Sequence, residues 1–202
     1  MKILNLYCGL GGNRKNWGND HEITAVEYKP EIAEIYQDFF PKDEVIITDA
    51  HQYLLEHYKE FDFIFMSPPC PTHSRLNKTN CVGLTEKKYP EMALYQEIIF
   101  LQNWYKGKYC VENVISYYEP MIRPQVLENH FWWANFLIQP INTKQCRGHN
   151  LRVEGLQERK GFDLSKYKGI DKAKALRNCV EPETGKHILE CAMGTNKHQP
   201  LF

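Results

Sequence analysis

Two groups of residues in this chain combine types and spacing that serve chemistry. The first is Ser67-Pro68-Pro69-Cys70-Pro71-Thr72-His73-Ser74-Arg75, where the apolar run Phe63-Ile64-Phe65-Met66 stops at a double proline with a thiol just beyond. The run reads as a buried strand, and the prolines hold the flanking residues rigid. Ligands of an open α/β sheet bind at the C-terminal ends of its strands, so Cys70 is a nucleophile candidate. The second group is Cys8-Gly9-Leu10-Gly11-Gly12, directly after the short apolar run Lys2–Tyr7, followed by Glu27 at the end of the next apolar run. Strand, glycine loop and then an acid open a nucleotide-binding unit: the glycines permit a tight turn, and the acid holds ribose hydroxyls. Taken singly, the loop reads equally well as a structural turn. An acid/base partner for the thiol has to come from another strand end, and Glu112 closes one.

The elements that position these residues follow from periodicity. Strands are expected at Lys2–Tyr7, Glu22–Glu27, Val45–Thr48, Asp62–Met66 and Tyr109–Val111, the last closing on Glu112-Asn113-Val114. Helices are expected from Pro30 to Phe40, with Ile32, Ile35, Tyr36 and Phe39 on one face, from Tyr53 to Tyr58, and from Pro90 to Tyr105. Phe131–Ile138 reads as a further strand. Residues 77–88 read as a polar loop over the site. Residues 144–174 are basic, rich in glycine and without a period, so irregular surface structure is expected there; Arg147, His149, Arg152, Arg159 and Lys160 form a phosphate-contacting patch or merely a solvated face. Helical character returns from Asp171 to Cys191, interrupted around Pro182, with a last helix from Lys186 to Met193. The predicted fold class is α/β: a mostly parallel sheet flanked by helices, in one domain over 1–202.

Composition narrows the class. The chain has 202 residues, 43% hydrophobic and 25% charged, which excludes global disorder and leaves room for one sizeable core. Its formal net charge is +0, so a nucleic-acid face has to be a local patch. Seven cysteines without a CxxC pair argue against a zinc site or a disulfide framework, and no metal is expected. No apolar run approaches the ~20 residues of a membrane span, and a cytoplasmic location, in a bacterial or phage-infected cell, is expected.

In order and at strand ends, these motifs resemble the cytosine carbon-5 DNA methyltransferase family over roughly residues 3–138 and again near 175–190. Asn5-Leu6-Tyr7-Cys8-Gly9-Leu10-Gly11-Gly12 matches the family's first motif, with Asn5 where the family has an acid and Tyr7 for a Phe near the adenine ring. Glu27 matches the ribose-binding acid and Asp49-Ala50 the segment that contacts adenine. Pro68-Pro69-Cys70 matches the proline–cysteine loop, with Pro71 in place of the usual Gln and Ser74 conserved. Glu112-Asn113-Val114 matches without change, and Arg177-Asn178-Cys179-Val180 resembles the late Asn motif, with Arg177 for Gly. The resemblance implies a Rossmann-like methyltransferase fold and S-adenosylmethionine as cofactor, bound by Tyr7, Cys8, Gly9, Gly11, Gly12, Glu27, Asp49, Ala50, Pro68 and Asn178. It implies Cys70 as the nucleophile on cytosine carbon 6 and Glu112 as the proton-carrying partner of ring nitrogen 3. Burial would raise the pKa of Glu112 toward that task. Ser74, Arg75, Asn113 and His130 stand on the base side.

The family's Gln-x-Arg-x-Arg motif is missing. Gln125-Val126-Leu127-Glu128-Asn129-His130 occupies its place, and His130, Arg123, Arg147 or Arg75 is left to replace the arginine at the flipped base. The stretch between Ile138 and Arg177 is too short for a separate target-recognition domain. The resemblance therefore implies a minimal, phage-type enzyme acting on double-stranded DNA with a flipped cytosine, in restriction–modification or host regulation. RNA cytosine methylation and a non-catalytic DNA- or clamp-binding subunit are the alternatives. The tail Gln199-Pro200-Leu201-Phe202 partly resembles peptides that bind the bacterial sliding clamp; a frayed terminus is the other reading.

Overall fold

The computed structural model describes residues 1–75, 89–141 and 152–195. Five parallel strands form the centre of the sheet: β1 (Lys2–Leu6), β2 (Glu22–Glu27), β3 (Glu44–Ile47), β4 (Phe63–Met66) and β5 (Lys108–Val114). Two further strands, β6 (Gln125–Leu127) and β7 (His130–Ala134), form a hairpin whose β7 runs antiparallel to β5. The order is β3-β2-β1-β4-β5-β7-β6. The strand order therefore reverses between β1 and β4, and their C-terminal ends open the crevice where such sheets bind ligands.

The strands read as near-continuous apolar runs because both faces are covered. On one face Leu4, Leu6, Val26, Ile64, Met66 and Val111 pack against α2 (Ala50–His57) and α3 (Ala93–Trp104). On the other, Ile3, Ile23, Phe63, Phe65 and Cys110 pack against α6 (Pro182–Met193), while Ala25 meets α1 (Pro30–Phe39). A mostly parallel α/β sheet flanked by helices is the fold the sequence predicts, and the structure gives it seven strands.

Several local expectations change. β5 runs on through Glu112, Asn113 and Val114 because β7 pairs with all three. The short strand β6 lies outside the predicted set; Gln125 secures it by donating to the Phe136 carbonyl (2.8 Å) and accepting from the Ile138 N–H (2.8 Å). Pro182 starts α6 rather than interrupting it, since proline suits a helix's first turn, where the missing N–H has no partner to lose. The irregular surface expected over 144–174 is corrected in its described part by the helix α4 (Val153–Lys160), while α5 (Lys172–Arg177) opens the helical stretch expected from Asp171. Their apolar residues are too sparse to show a period, but Leu156, Phe162, Leu164 and Leu176 are all buried against Leu10, Tyr36 and Phe40. Each such burial stabilises by about 1.5–3 kcal/mol, enough to fold the segment down onto α1.

Candidate active site

Strand lengths create the site. β4 stops at Met66, opposite Val111, while β5 continues for three more residues that pair only with β7. The edge of β5 beyond Val111 thus faces the chain leaving β4, which carries Ser67-Pro68-Pro69-Cys70. Ser67 N–H still donates to the Leu6 carbonyl (3.3 Å), which ties this chain to β1. Asn113, buried, donates to the Pro68 carbonyl (3.1 Å) and accepts from the Val114 N–H (3.0 Å). Cys70 is half-buried, and its carbonyl accepts from the His73 and Ser74 N–H groups (3.0 and 3.1 Å). Its thiol pKa is raised, first by burial and then by the negative charge of Glu112. Thiol and carboxyl therefore share one electrostatic environment.

The Glu112 side chain is 12% exposed. Burial raises its pKa, against the opposing charges of His130 and Lys160 and a hydrogen bond from Ser67. His130 leads into β7 opposite Val114, with its Nε2 3.5 Å from Glu112 Oε1. An exposed imidazole thus stands against the acid. It is there because the β6–β7 hairpin places it, not because of any local motif.

The glycine loop forms the other half of the site. Gly9 has φ 52, and a Cβ there would meet nothing within 4 Å, so its face is an open cradle. Its N–H donates to Glu27 Oε2 (3.1 Å), and the Lys29 N–H donates to Oε1 (3.0 Å). Each carboxylate oxygen retains lone-pair capacity for a ribose hydroxyl. Gly12 serves closeness instead: a Cβ there would run into the Val180 carbonyl and the Cys179 sulfur, so the segment after α5 packs on the loop itself. Exposed Asn178 precedes that contact and caps α5. Asn5 and Asn13 brace the loop from below with paired amides (2.7 and 3.5 Å), which accounts for an amide at position 5.

Of the other expected cofactor residues, Asp49 is exposed and caps α2, accepting from the Gln52 N–H (2.9 Å). Cys8 and Ala50 are core side chains, leaving only their backbones for a ligand. Tyr7, at φ 55, reaches toward α3 and donates its hydroxyl to Glu97 Oε1 (2.5 Å). Among the base-side residues, Arg75 is exposed at the end of the described loop and Ser74 pairs with Ser116. Arg147, the 77–88 loop and the Gln199–Phe202 tail lie outside the described residues. Among the described residues no His, Cys, Asp or Glu cluster suits a metal ion, and no helix is long and apolar enough to cross a membrane.

Three features of the site escape sequence reading. Glu97 is fully buried in the apolar stripe of α3 and also bonds His51 Nδ1 (3.0 Å). Its signal is a carboxylate between Leu94 and Ile98 on a buried face. Arg14 and Asp43 form a buried pair (2.8 Å) with Tyr36 that anchors the loop onto α1, without any sequence signal. Tyr28, 73% exposed directly after Glu27, is an open aromatic at the cradle's rim; its signal is an aromatic following the strand-end acid.

The sheet is doubly wound, with an open glycine loop at β1–β2 and a thiol and a carboxyl on neighbouring chains at β4–β5. A family model described as C-5 cytosine-specific DNA methylase matches residues 1–118, more than half of the chain, and the chain belongs to that family. It is similar to the human tRNA (cytosine(38)-C(5))-methyltransferase, 24% identical over 152 residues, covering 70% of this chain and 38% of that protein. It is also similar to the Spodoptera frugiperda enzyme of the same name, 35% identical over 83 residues, 38% of this chain and 25% of that protein. A solved structure of a Spodoptera frugiperda DNMT2 variant aligns at 28% identity and TM-score 0.38, covering 56% of this chain and 35% of that chain. The chain spans under two-fifths of the length of these curated relatives. S-adenosylmethionine is the family's cofactor, and the open face at Gly9 beside the Glu27 carboxylate fits its ribose.

Proposed function

We propose that this protein methylates carbon 5 of cytosine in DNA, with Cys70 as nucleophile and Glu112 as proton carrier. The observation that carries the reading is that Cys70 and Glu112 stand on neighbouring chains where β5 outruns β4, with the Glu112 charge acting on the Cys70 thiol. S-adenosylmethionine, when bound, supplies a methyl group on a positively charged sulfur. Glu27 and the Gly9 backbone hold its ribose, with Asp49 and Tyr28 at the adenine end. Carbon 5 of cytosine is a poor nucleophile until a thiolate adds to carbon 6. Cys70 forms that S–C6 bond, and the C5–C6 electron pair shifts onto the ring. Glu112 delivers a proton to ring nitrogen 3, so the ring stays neutral and carbon 5 becomes enamine-like and nucleophilic. After methylation a base, water among the candidates, removes the carbon-5 proton. That electron pair restores the C5–C6 bond, the Cys70 thiolate leaves, and nitrogen 3 returns its proton to Glu112. Asn113 keeps the Cys70 loop on β5 by holding the Pro68 carbonyl, and the His130 imidazole stands beside Glu112, 3.5 Å away. The target base has to leave the duplex stack for carbon 6 to be reached.

A second reading, the same chemistry on RNA, is favoured by one observation: the curated relatives above are tRNA methyltransferases. The experiment offers a duplex with 5-fluorocytosine at every cytosine, and a matched RNA, with S-adenosylmethionine. Fluorine cannot leave as a proton, so the Cys70 adduct persists. A cofactor-dependent adduct with DNA, lost in Cys70→Ala, is expected. An adduct with RNA alone overturns the substrate class, and none with either overturns the chemistry.

A further inference from the structure

Beyond the strand ends, the chain carrying Cys70 and the chain carrying Glu112 run side by side and are stitched together. Ser74 pairs with Ser116, and the Tyr117 N–H donates to the His73 carbonyl (3.2 Å). His73, 2% exposed, places Nδ1 2.5 Å from the Tyr118 hydroxyl. That hydroxyl accepts from Tyr95 (3.3 Å), whose oxygen accepts from the Met121 N–H (3.3 Å). The backbone of Tyr118 is fixed in turn, its carbonyl accepting from the Ser116 hydroxyl.

The Met121 N–H donates to the Tyr95 oxygen, and the Tyr95 hydroxyl donates to Tyr118. That leaves the Tyr118 proton for Nδ1, the arrangement in which the imidazole proton is on Nε2. Nε2 is buried. Burial lowers the His73 pKa, against the Glu91 charge and a hydrogen bond to the Glu91 backbone, so the ring is neutral near pH 7.

We propose that His73 is a positioning residue: its Nδ1 bond to Tyr118 locks the Cys70 loop to the exit of β5 and thereby sets the thiol of Cys70 against the carboxyl of Glu112. The lock ties the residue three beyond the nucleophile to the residue six beyond the acid. It rests on the covalent reading above. Reacting groups lose rate steeply when displaced by about 1 Å, so a loosened lock shows in the trapping rate and not in cofactor affinity.

The test measures the single-turnover rate of adduct formation on the 5-fluorocytosine duplex and S-adenosylmethionine binding by calorimetry. Tyr118→Phe removes one hydroxyl and keeps the ring. It should slow trapping ~10- to 100-fold with cofactor Kd within ~2-fold. His73→Phe should match it, and the double variant should be no slower than either. His73→Asn, which presents an acceptor where Nδ1 stands, should recover to within ~3-fold of wild type, because the hydrogen bond is what it restores. Nitrogen-15 spectra should show the proton of His73 on Nε2. Trapping by Tyr118→Phe at the wild-type rate overturns the proposal, and that variant decides even if His73→Phe fails to fold. If wild type forms no adduct, the covalent reading has failed instead. The lock is then read by amide hydrogen exchange over residues 70–74, which Tyr118→Phe should speed ~10-fold; unchanged exchange overturns it.

Discussion

Glu27 and Glu112 stand on the same rim of one sheet, yet their surroundings give them different work. Glu27 ends β2 and is held by two backbone N–H groups, from Gly9 and Lys29, so it is a fixed acceptor. Glu112 lies inside β5, nearly buried, with the His130 imidazole 3.5 Å away and its charge acting on the Cys70 thiol, and burial pushes its pKa up. The β1–β2 half of the rim is an arrangement of backbone donors and open space, of the kind suited to holding a ligand. The β4–β5–β7 half is an arrangement of side chains whose protons can move. Breaking each half should therefore damage a different step.

The largest loss is expected from Glu112→Gln, which keeps shape and polarity but cannot deliver the proton. The rate of adduct formation should fall ~10²- to 10⁴-fold, with cofactor Kd nearly unchanged. The pH profile carries the finer test. Cys70 reacts as the thiolate and its pKa lies above its ordinary 9.0, so rate rises with pH on that limb. Glu112 acts protonated and its pKa lies above its ordinary 4.5, so rate falls as pH rises through the folded value. Wild type should give a bell-shaped profile, and Glu112→Gln should lose the Glu112 limb while the rise due to Cys70 remains. An unchanged bell would remove Glu112 from the chemistry.

A smaller loss, confined to binding, is expected at the other half. Glu27→Ala removes an ionised acceptor for two ribose hydroxyls, and hydrogen bonds to charged groups contribute about 1.5–3 kcal/mol each. The S-adenosylmethionine Kd should rise ~10- to 100-fold, while duplex affinity and trapping at saturating cofactor stay near wild type. Calorimetry and gel-shift titration separate the two. Equal losses in both would mean that the halves are not independent.

The same division explains how much was legible in the sequence. The parallel core showed in its apolar runs, and the cofactor half in residues adjacent along the chain: glycine loop, strand, acid. Cys70 and Glu112 were legible as candidates because each follows an apolar run, although β5 continues past Glu112. The rest depends on contacts between distant segments. His130 meets Glu112 only through the β6–β7 hairpin, and His73 finds Tyr118 only because two loops run together. Helix α4 was hidden because its few apolar residues make sense only against α1, and Arg14 with Asp43 because a buried ion pair has no spacing rule.

The smallest effect sharpens the boundary between the halves, where Glu97 lies beneath Tyr7. Burial pushes the Glu97 carboxyl up from its ordinary 4.5, against hydrogen bonds from Tyr7 and His51 that favour the ionised form, and its Oε2 has no partner. Between the unfolded and folded values the native state binds more protons than the unfolded chain, so stability falls as pH rises. The contribution of the protonated group is complete below 4.5 and is lost as pH rises through the folded pKa. Glu97→Gln keeps the Oε1 acceptor for Tyr7 and cannot titrate. Its Tm should gain on wild type by ~2–4 °C between acidic and mildly alkaline pH, measured by calorimetry at several pH values, with cofactor Kd within ~3-fold because the Tyr7 bond survives. A difference in Tm that does not vary with pH would mean that Glu97 is ionised in the folded protein. The strained Tyr7 would then rest on a buried charge rather than on a neutral acid.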